Sequence, residues 1–489
     1  MKKKINICIA TCLIFFMCSC SNDWLNVPPA TSLSSLDAVE NFNDVNSLLV
    51  GMYHGLRATS STYEYYGATF IHYGDVRGDD MQARDPGMRT SVNYEMSYTV
   101  NNAPNIWTRP YDVIHRANEV IFAINDGKAN DGAKADVDDV KGQALTVRAL
   151  AHFDLVRLYG KPYSMSGAPS SFGVPIINEP HPASYLPARN TVEEVYSAII
   201  ADLTAAIPLL KTAKKNGFIN QWAAKSLLAR VYLYKSDFNN AYTTAIDVIN
   251  NGGYSLWEAR EYVDAWKSPY GKEMIFELII NSVDAWTDRE GITYLMSEDG
   301  YADFIITKTF VDLMNRPENL DDVRHGLMGL PTMSTFNTKP FWGQPVFLKK
   351  LPGQFSGDLR LNNIPMFRLS EQYLIAAEAA LKKSSPDQGK ANEYLNALVS
   401  RRNPLKPEVT ATEEAVITEK RMELIGEGHR FFDAMRLGLT IERPDGGWHV
   451  PLINDSKKFD RNYYRTILSI PLAEMNANEN IRNQQNPGY

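Results

Sequence analysis

The sequence predicts an all-α-dominated protein, a scaffold of paired helices interrupted by two loop-rich insertions at about residues 60–105 and 252–365. Three observations predict it. Apolar residues recur at helical spacing through most of the chain, most plainly from Gln221 to Asn251. Pro269, Pro317, Pro331, Pro340, Pro345, Pro352 and Pro365, with glycines among them, exclude long helices from the second insertion. All four cysteines, Cys8, Cys12, Cys18 and Cys20, lie near the start, so everything after them must be stabilised by a packed core rather than by disulfides.

The first twenty residues read as an export signal ending at a thiol. Lys2, Lys3 and Lys4 precede an apolar stretch from Ile5 to Met17, broken by Asn6 and Thr11, and the small Ser19 precedes Cys20. The stretch is shorter than the ~20 residues an ordinary membrane span needs. Cys18 fits a cleavage site less well because it follows the bulky Met17. The expected layout is a signal over residues 1–19, an anchor and tether over 20–39, rich in Ser, Asn and Pro, and one large domain over 40–489. The formal charge of −7 becomes −10 once the three signal lysines are removed, which argues against nucleic acid as a partner. No later apolar run is long enough to span a membrane as a helix.

Along the domain, Pro104–Asn125 pairs with Val140–Tyr159, and Phe367–Leu381 with Ala391–Arg401. Thr191, with Glu194 three positions on, makes a capping box that opens a helix ending near Leu210. Within Gln221–Asn251 two helices meet at Lys235–Phe238. Their Leu228, Ala229, Tyr232, Ala241, Ala245 and Val248 fall at spacings like those of a tetratricopeptide unit, where small residues let paired helices approach closely. Trp107, Trp222, Tyr232 and Tyr373 lie on such helices and read as core.

Catalytic and metal signatures are missing. The eight histidines are scattered without ligand spacing, and there is no GxSxG, Walker or GxGxxG motif. The acidic group Asp75, Asp79 and Asp80 lacks the closing Glu of a calcium loop, so turn capping and pairing with Arg77 are expected instead. Glu423, Glu427 and Arg430 are spaced to pair along one helix face, backed by an apolar stripe of Ile417, Leu424, Phe431 and Met435. Two carboxylates one turn apart on one helix are poor candidates to flank a sugar ring as acid and base.

Several segments in order resemble the SusD/RagB family of outer-membrane nutrient-binding lipoproteins. They are WLNVPP at Trp24, IWTRPYDVIHRAN at Ile106, LVRLYGKPY at Leu155, GVPII at Gly173, FRLSEQYLIAAEAAL at Phe367, ITEKRMELIGEGHRFFDAMRLG at Ile417, and the ending QNPGY. The resemblance implies lipidation at Cys20 and an outer-membrane, surface-exposed location. It also implies a partner, a SusC-like TonB-dependent transporter over which this chain sits as a lid, and no catalysed reaction or cofactor.

The resemblance further places the ligand face on loops outside the repeat scaffold. Sugar recognition needs flat apolar rings together with amides or charges for hydroxyls, and tyrosine and tryptophan combine a rigid surface with a polar edge. The candidates are therefore Arg84, Tyr94, Tyr98, Asn101 and Asn102 in the first insertion, and Trp286, Tyr294, Tyr301 and Trp342 in the second. The leading expectation is an oligosaccharide-binding lipoprotein. A peptide or glycopeptide receptor, a surface glycoside hydrolase and a purely structural lid are the alternatives.

Overall fold

The computed structural model describes residues 38–57, 65–85, 88–104, 106–182, 184–280, 282, 289–330, 345–443 and 455–489. Its helices of eight residues or more are α1 (Phe42–Arg57), α2 (Thr108–Asn125), α3 (Lys134–Tyr159), α4 (Val192–Ala206), α5 (Gln221–Tyr234), α6 (Phe238–Asn251), α7 (Leu369–Lys382), α8 (Gln388–Arg402), α9 (Glu413–Leu424) and α10 (Arg430–Leu437). The strands of three residues or more are β1 (Met81–Ala83), β2 (Met274–Leu278), β3 (Phe304–Ile306) and β4 (Ile364–Arg368). The protein is thus helical with few strands, as the periodicity implies.

Each long helix from α1 to α8 packs on the next, so the helices form one continuous stack. The α5–α6 pair forms where the sequence places it. Asn220 caps α5 by accepting from the Ala223 N–H (3.0 Å), and Asp237 caps α6 by accepting from that of Asn240 (3.2 Å). Fully buried Ala229, Ala241 and Ala245 face Ala376, Ala377 and Ala380 of α7, and these small side chains allow the close approach. The α4 capping box is present, with the Glu194 N–H donating to Thr191 Oγ1 (3.2 Å) and the Thr191 N–H to Glu194 Oε2 (2.7 Å). Trp107 and Trp222 are buried, while Tyr232 and Tyr373 pack partly buried against the core.

Both insertions leave and rejoin the stack between helices that touch. The first lies between α1 and α2, the second between α6 and α7. The neck of the second is the antiparallel β2–β4 pair, with Met274 opposite Arg368 and Leu278 opposite Ile364. Phe367, expected as the start of a helix, belongs instead to β4, where it sits opposite Phe276. The two insertions are joined to each other by β1 and β3, with Met81 opposite Ile306 and Ala83 opposite Phe304.

The expected pairing along one helix face does not occur. Helix α9 ends at Leu424, and Gly426 and Gly428, both at φ +79°, turn the chain before α10 begins. Gly428 also lies against Gly74, where a Cβ would fall 2.0 Å from the Gly428 carbonyl oxygen. Glu423 and Glu427 instead join a buried ion cluster at the neck. Arg368 donates to Glu273 and Glu423 (both 2.8 Å) and to Glu427 (2.6 Å), while Arg402 donates to Glu273 and Glu423 (both 2.9 Å). Burial alone would raise the Glu423 carboxyl, but Arg402 and Arg368 outweigh it and hold the group well below the usual range.

The acidic group pairs across the chain and not with Arg77. Asp79 meets Arg430 and Asp80 meets Arg421 (both 2.5 Å), while Asp75 accepts the Gly428 N–H (3.0 Å). Arg77 lies over the Phe431 ring at 3.8 Å and donates to the Thr466 carbonyl (2.6 Å). These contacts join partners several hundred residues apart, beyond the reach of local spacing.

Candidate functional site

The β1–β3 pairing brings the ends of the two insertions together and builds a small polar and aromatic surface beyond the strands. The chain leaving β1 continues beside the chain entering β3, with the Arg84 N–H donating to the Asp303 carbonyl (3.0 Å). Thr90 Oγ1 donates to that same carbonyl (2.9 Å). On the other side, a short helix at Ile292–Met296 is tied back by the Tyr301 N–H to the Tyr294 carbonyl (2.9 Å) and the Asp303 N–H to that of Leu295 (2.7 Å).

This framework holds Tyr294 and Tyr301 edge to face, with ring centroids 5.1 Å apart and both residues half-buried. Arg89 reaches across from the first insertion, its guanidinium 4.3 Å from the Tyr301 ring centre. The same side chain pairs with Glu290 and with Asp303, the latter at 2.5 Å. Arg84 donates to Asp85 (2.8 Å) and makes a long contact with the Tyr301 carbonyl (3.4 Å). Arg289 lies near the Tyr294 ring at 5.8 Å, and Arg360, paired with Asp358 (2.6 Å), acts electrostatically on Tyr294.

Beneath the surface the residues are buried. His72 stacks on Tyr73 and tilts against Phe304, and its Nε2 contacts Asn93 (3.0 Å). Burial, with a smaller push from Arg89, lowers its pKa to about 4, so this histidine is a neutral floor residue at ordinary pH. Burial pushes the Asp303 carboxyl up, and the Arg89 and Arg84 cations oppose that push.

The structure brings together Arg84, Tyr294 and Tyr301 of the expected residues. Tyr94 and Tyr98 are corrections, since both are fully buried and offer no face to a ligand. Tyr94 packs under the Arg443 guanidinium at 4.3 Å, and Tyr98 donates its hydroxyl to the Arg465 carbonyl. Asn101 and Asn102 are exposed but shape a turn, in which Asn102 Oδ1 accepts from the Thr99 N–H (2.5 Å) and Thr99 Oγ1 accepts from that of Asn101 (3.3 Å). Trp286, Trp342 and Cys20 lie outside the described residues. Arg89, Glu290 and Asp303 were not foreseen. Arg89 and Glu290 are 201 positions apart, so no local pattern joins them. Among the described residues no group of His, Cys, Asp or Glu is placed to hold a metal ion.

A stacked-helix scaffold thus carries a loop-built aromatic and charged surface where the two insertions meet. Residues 23–233 match a family model described as starch-binding and associating with the outer membrane, and residues 333–489 match the SusD family model. A solved SusD superfamily protein from Bacteroides thetaiotaomicron is 36% identical with a TM-score of 0.85, the match covering 91% of this chain and 100% of that one. Another from Bacteroides vulgatus is 34% identical with a TM-score of 0.81, covering 92% and 99%. The starch-binding protein SusD of Bacteroides thetaiotaomicron is 34% identical over 128 residues, which is 26% of this chain and 22% of that protein. The chain belongs to the SusD family. That is a family of carbohydrate-binding proteins, not of enzymes, and its description associates it with the outer membrane.

Proposed function

We propose that the protein is a surface-exposed lipoprotein of the outer membrane that captures an oligosaccharide and delivers it to a SusC-like TonB-dependent transporter. The observation that carries the reading is the half-exposed Tyr294–Tyr301 pair, held where the two insertions meet and ringed by guanidinium and carboxylate groups. Aromatic faces suit the C–H surfaces of sugar rings, and the surrounding charged groups offer donors and acceptors to hydroxyls. The name of one relative, a starch-binding protein, supports a carbohydrate ligand. Among the described residues no helix is long and apolar enough to cross a membrane, which fits a receptor that relies on a separate pore.

The test is incubation of purified mature protein with a glycan array, followed by assay for reducing ends on every glycan retained. Retention of one or more glycans without new reducing ends is expected. Release of reducing ends would replace this reading with that of a hydrolase, and retention of none would remove the carbohydrate ligand.

A further inference from the structure

The charges around the tyrosine pair narrow the chemistry of the ligand. We infer that this site, taken as the glycan site proposed above, selects an uncharged oligosaccharide over a uronate-bearing or sulfated one. The described cations that contact or act on the segments carrying the two rings include Arg84, Arg89, Arg289 and Arg360. Against them stand Asp85, Glu290, Asp303 and Asp358, so the cluster carries no excess of positive charge. Three of the guanidiniums are already engaged: Arg84 by Asp85 (2.8 Å), Arg360 by Asp358 (2.6 Å), and Arg89 by both Glu290 and Asp303.

An anionic sugar can use the remaining donors of these three guanidiniums only beside the carboxylates already paired with them, and drawing any of the three away would strip a carboxylate of its partner. Asp303 is the most costly case, because its side chain is 2% exposed and Arg89 is its ion-pair partner at 2.5 Å. Arg289 alone has no ion pair to another described residue, and the neighbouring Glu290 carboxylate opposes an anion approaching it. The negative formal charge of the whole chain acts in the same direction at long range.

A neutral sugar meets none of these penalties. Its hydroxyls both donate and accept, and an intact guanidinium–carboxylate pair presents both functions in fixed geometry. Tyr301 already has Arg89 over its ring, so the guanidinium edge and the exposed part of Tyr294 together form the contact surface. Specificity then comes as much from fixed carboxylates that repel the wrong ligand as from contacts that attract the right one.

The test sets neutral against acidic glycans on matched backbones, using polygalacturonate against its methyl ester and carrageenan against its desulfated form, alongside neutral glucans, mannans, xylans and galactans. Binding confined to neutral members is expected. In Glu290→Gln and Asp358→Asn, measured separately, the ratio of acidic to neutral affinity should rise by about threefold or more at low salt and less at high salt. An acidic glycan bound more tightly than its neutral counterpart would overturn the inference while leaving the carbohydrate reading intact. Binding to no member of either set would overturn both.

Discussion

Four tyrosines of the two insertions divide by burial into two kinds. Tyr94 and Tyr98 are fully buried, and Tyr94 supports the Arg443 guanidinium that donates to the carbonyls at Gly78 (3.0 Å) and Ser456 (3.2 Å). Tyr94→Ala should therefore cost about 3 to 5 kcal/mol of stability, read by denaturant or thermal unfolding. Tyr294 and Tyr301 are half-buried at the surface, so Ala at either should shift stability by less than about 1 kcal/mol. Sequence alone treats these four rings alike, because an aromatic residue in a loop has the same composition whether it points in or out. Glu277 supplies a pH-dependent expectation. Its Oε2 accepts the Tyr270 N–H (2.7 Å), its Oε1 is buried with no hydrogen-bond partner, and burial raises its pKa to about 7 against the partial opposition of the Tyr270 N–H and Lys214. A carboxyl raised on folding binds its proton more tightly in the folded state. Stability attributable to it is therefore lost as pH rises from the ordinary carboxylate range through about 7. Glu277→Gln should stabilise the protein by roughly 1 to 3 kcal/mol at pH 8, with the gain vanishing near pH 4, as measured by unfolding at both pH values.

Among the elements, the neck of the second insertion bears the largest concentration of buried charge. Arg402 of α8 has 0% of its side chain exposed and bridges Glu273 of the neck to Glu423 of α9. Arg402→Ala leaves both carboxylates short of a partner and should destabilise by about 3 to 5 kcal/mol. Replacing Glu423 by Gln removes one carboxylate from both Arg368 and Arg402 and should destabilise in the same sense, and a thermal shift measurement on both variants checks this. If neither variant melts lower than the parent, the cluster is not what secures the neck. The paired helices were legible because their periodicity, caps and small residues are local, as at α5 and α6. The ion cluster was not legible. Glu423, Glu427 and Arg430 have helical spacing, yet the turn at Gly426 and Gly428 breaks the helix between them, so that Glu423 and Glu427 both meet Arg368 while Arg430 meets Asp79. The candidate surface was half legible for a related reason. The insertions stand out by composition, and Arg84, Tyr294 and Tyr301 are polar or aromatic residues within them, but Arg89 enters only through the β1–β3 pairing, which joins segments more than two hundred residues apart.

For the whole molecule, the stack from α1 to α8 provides a continuous scaffold from which both insertions project, joined to one another by β1 and β3. The proposed attachment through Cys20 predicts that Cys20→Ala releases the protein from the outer membrane without lowering its melting temperature, as checked by membrane fractionation beside a thermal melt. Lipidation at two or more acyl chains is enough for stable anchoring where one is marginal, so the loss should be nearly complete. The proposed partnership predicts that mild detergent extraction at native expression, followed by affinity purification, recovers a barrel protein with this chain. Ligand held between the two would favour a closed arrangement only by the difference in its affinity for closed and open states. The half-buried tyrosine pair where the insertions meet is the proposed glycan contact. The most direct measurement is a calorimetric titration of the glycan retained on the array into the parent and into a Tyr294→Ala, Tyr301→Ala double variant. An affinity loss of at least about tenfold is expected, with the melting temperature nearly unchanged. Parental affinity in a folded double variant would contradict it.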